Sequence, residues 1–174
     1  MSQKEIQKIL STLKKRHEEF RLNYYKPYGF QKRFHKAGSE ANQRLLMAAN
    51  RVGKSYVGAM EMAIHLTGLY PDWWEGKKYD KPIRAWVCGA SNETTRDICQ
   101  KELFGQPDNP RDKGKGSIPN HLIGETTRKP GVPNAHTSVL VKHSTGGWSR
   151  VAFKAYEQGA EKFMGESLDL IWLD

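Results

Sequence analysis

The residues best equipped for chemistry are Gly53, Lys54 and Ser55, which fall within the stretch Arg44-Leu-Leu-Met-Ala-Ala-Asn-Arg-Val-Gly-Lys-Ser-Tyr56. A lysine can neutralise the outer phosphates of a nucleotide, and a serine hydroxyl can hold Mg²⁺. A glycine before them lets the main chain come close to a phosphate. Asn50, Arg51 and Val52 complete the turn. Its successive N–H groups and the positive end of a following helix would converge on one anionic site. The pattern G-x-x-x-x-G-K-[ST] asks for glycine at position 48, where this chain has Ala48. A bare Gly-Lys-Ser tripeptide says little, since any helix N-terminus can carry a lysine. The flanking elements have to supply the context.

They do so in pattern. Leu45 to Ala49 is an apolar run that reads as a short buried strand. After the turn, Val57, Met60 and Ile64 recur at i, i+3 and i+7, the spacing of a helix with one buried face. Ile83 to Gly89 reads as a second apolar strand. A helix then opens at Asn92, capped by Ser91 or Asn92, and runs to about Phe104. Leu168 to Asp174 is an apolar strand ending in a carboxylate. Ligands of open α/β sheets sit at the carboxyl ends of strands, so Asp174 is the candidate partner of Ser55 in holding Mg²⁺. The alternation predicts an α/β fold with a parallel sheet.

Upstream, Pro27 and Gly29 mark a turn among Tyr24, Tyr25, Tyr28, Phe30 and Phe34. Gln31 follows it, and a glutamine amide can both donate to and accept from the edge of adenine. The alternative is an exposed glutamine beside core aromatics. The paired Trp73 and Trp74 read as packing. Residues 3–22 form an amphipathic helix with Ile6, Ile9, Leu10, Leu13 and Phe20 on one side and lysines and arginines around them. It is expected to pack on the domain, with contact to DNA or a partner as the other reading. Residues 105–136, rich in glycine and proline, read as one long surface loop. Two alternating runs around Ser144-Thr145-Gly146-Gly147 read as a β-hairpin.

Composition bounds the rest. At 174 residues, 37% hydrophobic, one domain is expected. No apolar run approaches the ~20 residues that span a bilayer, and MSQKEIQKIL is not a secretory leader. Two cysteines without pattern exclude a disulfide scaffold and favour a reducing compartment. The histidines and cysteines show no zinc-ligand spacing. The net charge of +9 points to a polyanionic partner. Residues 1–36 carry ten lysines and arginines against three glutamates, so the excess is concentrated there.

Together, Phe30-Gln31, Ala48-Ala-Asn-Arg-Val-Gly-Lys-Ser55, Tyr70-Pro-Asp-Trp-Trp74, the Gly146-Gly147 hairpin, Tyr156-Glu-Gln-Gly159, Phe163-Met-Gly165 and Leu168-Asp-Leu-Ile-Trp-Leu-Asp174 resemble the large terminase subunit of tailed bacteriophages. The resemblance covers most of residues 24–174. It implies a P-loop ATPase of the ASCE type that binds ATP and Mg²⁺ and drives double-stranded viral DNA into a procapsid. A nuclease domain would cut the DNA in the full-length subunit. Residues 24–174 would be part of the ATPase domain, and residues 1–23 a basic helix ahead of it. Lys54 and Arg51 would act on the phosphates, Gln31 on adenine, and Ser55 with Asp174 on Mg²⁺. The implied partners are viral DNA, a portal protein, a small terminase subunit and further copies in a ring, in the host cytoplasm with no membrane. Another nucleic-acid-dependent P-loop ATPase, such as a helicase, and a non-catalytic basic DNA-binding or assembly module are the alternatives.

The departures also carry expectations. In that family the catalytic glutamate directly follows the Walker B aspartate, and Asp174 is the last residue here. A trans-acting arginine tends to precede that strand, but residues 151–174 offer only Lys154 and Lys162; Lys162 is the candidate, with Arg150 behind it. The strand after Walker B inserts between the Walker A and Walker B strands in this ATPase class. Residues 1–174 alone are therefore expected to lack a central strand and to be poorly stable or aggregation-prone. They are also expected to bind ATP weakly and not to turn it over. Phosphate release by purified 1–174, abolished by Lys54→Ala, overturns that last expectation.

Overall fold

A computed structural model describes residues 2–174. Its centre is helix α3, Lys54–Thr67. Val57, Ala59, Met60, Met62, Ala63, Ile64 and Leu66 of that helix are all buried. Burying each of the larger side chains contributes about 1.5–3 kcal/mol, so the helix is held by packing on every side. Around it stand α2 (Gly29–Lys36) and a helical run of α4 (Asn92–Thr94), a π-helical turn (Thr95–Gln100) and α5 (Lys101–Phe104), with α1 (Gln3–Glu19) ahead of them in the chain. Ser91 caps that run: its Oγ accepts from the Thr94 N–H at 3.1 Å.

Five strands, β1 (Arg84–Gly89), β2 (Ile123–Arg128), β3 (His136–Lys142), β4 (Trp148–Ala155) and β5 (Leu170–Leu173), form one sheet in the order β2-β3-β4-β1-β5. β1 is parallel to β4 and β5, whereas β2–β3 and β3–β4 are antiparallel. The sheet is therefore mixed, not parallel throughout. The hairpin expected around Gly146-Gly147 is the β3–β4 connection, with Lys142 opposite Trp148. One face, with Ala85, Val87, Val139, Val141, Val151 and Phe153, joins the α3 core. Leu170 and Trp172 extend that face. A Cβ on Gly58 would stand 2.5 Å from the Trp172 ring, so α3 approaches β5 as closely as a missing side chain allows. The opposite face, with Trp86, Cys88 and Ala152, is covered by Phe163 and Leu168.

Three expectations need correction. Leu45 to Ala49 is not a strand, and Leu45 and Met47 are 81% and 82% exposed. No strand of the sheet lies alongside this run, and an apolar run without a ladder partner cannot satisfy its backbone as a strand. Residues 105–136 are not one loop. Gly114, Ser117 and Ile118 donate their N–H groups to Phe104, Glu102 and Leu103, Ile118 is fully buried, and β2 lies within the segment. Helix α1 forms, with Ser2 and Glu5 closing a capping box, but ends at Glu19 and does not pack its apolar side on the domain. Ile6, Ile9, Leu10 and Leu13 are 41–59% exposed.

Strand β5 is an edge strand, with Ile171 and Leu173 exposed. An unpaired edge with apolar side chains is a template for association, and a lysine there opposes it. Residues 1–174 are accordingly expected to self-associate with rising concentration in light scattering. Ile171→Lys should suppress the scattering while changing stability by no more than about 0.5 kcal/mol. A wild type that stays monomeric at high concentration contradicts this.

Candidate functional site

The turn before α3 is shaped by two residues in the left-handed region, Arg51 (φ 64°) and Gly53 (φ 83°). Gly53 is the N-cap residue, and no side chain caps the helix there. The first N–H groups of a helix have no intrahelical acceptor, so the N-terminus of α3 presents donors and a positive dipole end. Lys54 folds back over the turn: its Nζ donates to the Ala48 and Ala49 carbonyls, each at 2.9 Å. Asn50 and Arg51 are exposed, and Val52, Lys54 and Ser55 half-buried.

Asp174 reaches the same place from the far end of the chain. Its N–H donates to the Cys88 carbonyl at 2.9 Å, holding it at the carboxyl end of β5. The Ser55 hydroxyl donates to its Oδ2 at 3.3 Å, across 119 residues of sequence. Gln31 comes to the turn from α2. It is buried rather than exposed, and its Nε2 lies 3.6 Å from where a Cβ on Gly53 would stand. Its Oε1 accepts from the Tyr28 N–H at 2.9 Å, which fixes the amide's orientation. The structure thus gathers Gln31, Gly53, Lys54, Ser55 and Asp174. Lys162 is exposed, its carbonyl accepting from Lys154 Nζ at 2.8 Å. Arg150 stands at the other end of β4, opposite Arg84, with Glu166 3.6 Å away.

The surroundings are protonated and quiet. Burial pushes the Cys88 thiol up to about 11. Burial raises Cys99 further, with the Asp174 charge adding to it. Neither thiol is a nucleophile at neutral pH. The Tyr156 hydroxyl lies within 3.5 Å of the Cys88 carbonyl, and burial together with Cys88 and Asp174 keeps it protonated. Among the described residues no group of three or more His, Cys, Asp or Glu side chains could hold a metal ion. Hydroxyl and carboxylate oxygens such as those of Ser55 and Asp174 are the hard donors Mg²⁺ takes, which binds through one or two carboxylates plus water and phosphate oxygens.

The family model described as "Terminase large subunit, T4likevirus-type, N-terminal" matches residues 45–174. The chain belongs to the terminase large subunit family. A curated relative, "Terminase, large subunit" of Salmonella phage P22, is 35% identical over 170 residues, covering 88% of this chain and 34% of the relative. The chain therefore spans about a third of the length of that terminase subunit. No solved structure matches. Among the described residues no helix is long and apolar enough to cross a membrane.

One cluster of this terminase chain escaped the sequence reading. Glu61 is 5% exposed, in the middle of α3. Its Oε2 accepts from His35 Nδ1 at 2.8 Å, its Oε1 pairs with Arg44 Nη2, and His65 Nε2 stands 3.6 Å from Oε1. A signal existed: Glu61 and His65, four apart, interrupt an otherwise apolar helix, and a buried carboxylate must be paired. Burial alone pushes the Glu61 carboxyl up, but His35, His65 and Arg44 outweigh it and hold it below the usual carboxylate range. Below about pH 4.5 the unfolded chain takes up a proton at this residue that the folded chain refuses. Stability from Glu61 is thus present above that pH and is lost as pH falls toward the folded value. Urea titrations between pH 7 and pH 3 should show a shallower acid limb for Glu61→Gln than for wild type. Equal slopes contradict the assignment.

Proposed function

We propose that this chain is the ATPase part of a phage DNA-packaging motor, binding ATP–Mg²⁺ at the N-terminus of α3. The observation that carries the reading is the meeting of Ser55 and Asp174 at that uncapped terminus. Two oxygen donors of Mg²⁺ type then lie beside a lysine and the first N–H groups of α3, which have no intrahelical acceptor. This arrangement and the family both support a P-loop assignment. Under it, residues 24–174 are the ATPase unit and residues 1–23 a basic extension.

In this reading Lys54 exchanges its loop carbonyls for phosphate oxygens, and Arg51, on an exposed left-handed turn, reaches the outer phosphate. Ser55 and Asp174 hold Mg²⁺, which supplies charge neutralisation between the phosphates. Gln31 presents its amide to adenine from beside Gly53. Catalysis of this kind is mostly positioning and electrostatic stabilisation. The cationic chain, with ten of its lysines and arginines in residues 1–36, suits a duplex DNA cargo. A portal protein, a small terminase subunit and further copies in a ring complete the proposed motor. The family match leaves the helicase and non-catalytic readings without an observation in their favour.

Titration with ATP and Mg²⁺, followed by tryptophan fluorescence or calorimetry, tests the site. Lys54→Ala is expected to weaken binding by about 10- to 100-fold, the loss of one charge-assisted contact. Asp174→Asn should remove the Mg²⁺ dependence and leave metal-free binding in place. Wild-type chain that shows no binding, or binding indifferent to Lys54→Ala, rules the proposal out.

A further inference from the structure

Glu61 lies six residues beyond Ser55 in α3, about 9 Å along the helix axis. It is too far to touch a phosphate bound at the N-terminus. What it touches instead are residues of the elements that carry Gln31 and the turn, and through His65 it is linked to the strand that carries Asp174. His35 is on α2, four residues after Gln31. Arg44 immediately precedes the run leading into the turn, and its Nη1 also donates to the Phe34 carbonyl of α2 at 2.9 Å. On the other side, the Tyr79 N–H donates to the Tyr70 hydroxyl at 2.7 Å. The same hydroxyl lies 3.1 Å from His65 Nδ1, and the other ring nitrogen of His65, Nε2, faces Glu61 Oε1 at 3.6 Å. Tyr79 in turn donates its hydroxyl to the Asp169 carbonyl at 2.7 Å, at the head of the strand that ends in Asp174. His35 is held in the same way, its Nδ1–H donating to Glu61 and its Nε2 standing 3.0 Å from the Tyr25 hydroxyl.

A buried ion pair is weak grounds for stability, since apolar replacements of similar volume are often neutral or better. What such a group can supply is one fixed arrangement of the parts that contact it. We propose that Glu61 is a positioning residue of the nucleotide site. One carboxylate registers the Gln31 helix, the Arg44 entry to the turn, α3 itself and, through His65, Tyr70 and Tyr79, the strand carrying Asp174. The proposal rests on the nucleotide reading above.

The test compares wild type, Glu61→Gln and Arg44→Lys for affinity toward ATP–Mg²⁺ and GTP–Mg²⁺, with melting followed in parallel. Glu61→Gln keeps the shape but cannot receive all its donors as a carboxylate does. Arg44→Lys keeps the charge, loses the fork that spans Glu61 and Phe34, and alters no core side chain. Wild type should prefer ATP. Both variants should lose ATP affinity by roughly tenfold, the scale of network substitutions, with the ATP-to-GTP preference falling toward one. A merely structural role would lower melting and leave the preference intact. Unchanged preference in folded Glu61→Gln overturns the proposal. If that variant does not fold, wild-type values in Arg44→Lys overturn it. Wild type that binds both nucleotides alike overturns it as well. Wild type that binds neither removes the nucleotide reading and this one together, whereas binding that falls with Lys54→Ala but ignores both network variants removes this one alone.

Discussion

Burial of α3 on every side is the constraint from which the rest of the structure follows. A helix packed between a sheet face and a layer of aromatic side chains has little freedom to rotate or slide. Its N-terminus is therefore a fixed point. The Gly58–Trp172 approach ties it to β5, and Ser144, in the hairpin turn, donates to the Thr67 and Gly68 carbonyls at its other end. Everything proposed to act on phosphate or metal is placed relative to that end. Lys54 and Ser55 lie in its first turn, Asp174 closes the strand packed against it, and Gln31 abuts its capping glycine.

Complete burial also explains why the helix carries charge at its centre. A surface helix can bury one stripe and leave its polar residues in water. α3 has no such side, so Glu61 and His65 must find partners inside the protein: His35 of α2 and Arg44 for Glu61, and the Tyr70 hydroxyl for His65. The cost of desolvating the carboxylate is offset only when all of those partners are in place. The network is consequently a condition on how α2, the residue-44 segment and the Trp73-Trp74 turn assemble. The Trp74 ring lies within 5.3 Å of both the His35 and His65 rings, tilted to the first and edge-on to the second, and its indole N–H donates to the Lys77 carbonyl at 2.9 Å. The paired tryptophans read from the sequence as packing thus pack against this polar centre.

Features governed by local rules could be read from the sequence. The Gly53-Lys54-Ser55 turn entering a helix, the Ser91 cap, β1, β5 and the Gly-Gly hairpin all depend on residues within a few positions of one another. Features governed by partners elsewhere in the chain could not. Leu45 to Ala49 has the composition of a strand, but strand formation is decided by a neighbour, and the sheet ends at β5. The run Ile123 to Arg128 has weak alternation and a glycine, and becomes β2 because β3 offers it an antiparallel edge, with register shifts that further blur its pattern. Helix α1 illustrates the reverse case. Its amphipathic pattern correctly gives a helix but says nothing about whether the apolar side meets this domain. The Glu61 cluster draws on many separate stretches, joining residues 25, 35, 44, 61, 65, 70 and 79. Only its central i, i+4 pair left a trace in the pattern.

The posture of Lys54 shows how such a site can be both stable and receptive. Its ammonium donates to two backbone carbonyls of its own turn, which holds the loop in a curled form with left-handed residues at Arg51 and Gly53. Carbonyls are neutral acceptors, whereas a phosphate oxygen adds the attraction of opposite charges to the same ammonium donor. A phosphate brought to the α3 N-terminus can therefore take the lysine from the carbonyls at a gain, and the two carbonyls, in an exposed segment, fall back on water. The Ser55–Asp174 contact has the same character. At 3.3 Å it is a long hydroxyl–carboxylate bond, so a cation drawn between the two oxygens displaces a weak interaction. The turn is held together by bonds that its proposed ligand can replace, while the parts that must not move are tied through α3 and its buried carboxylate.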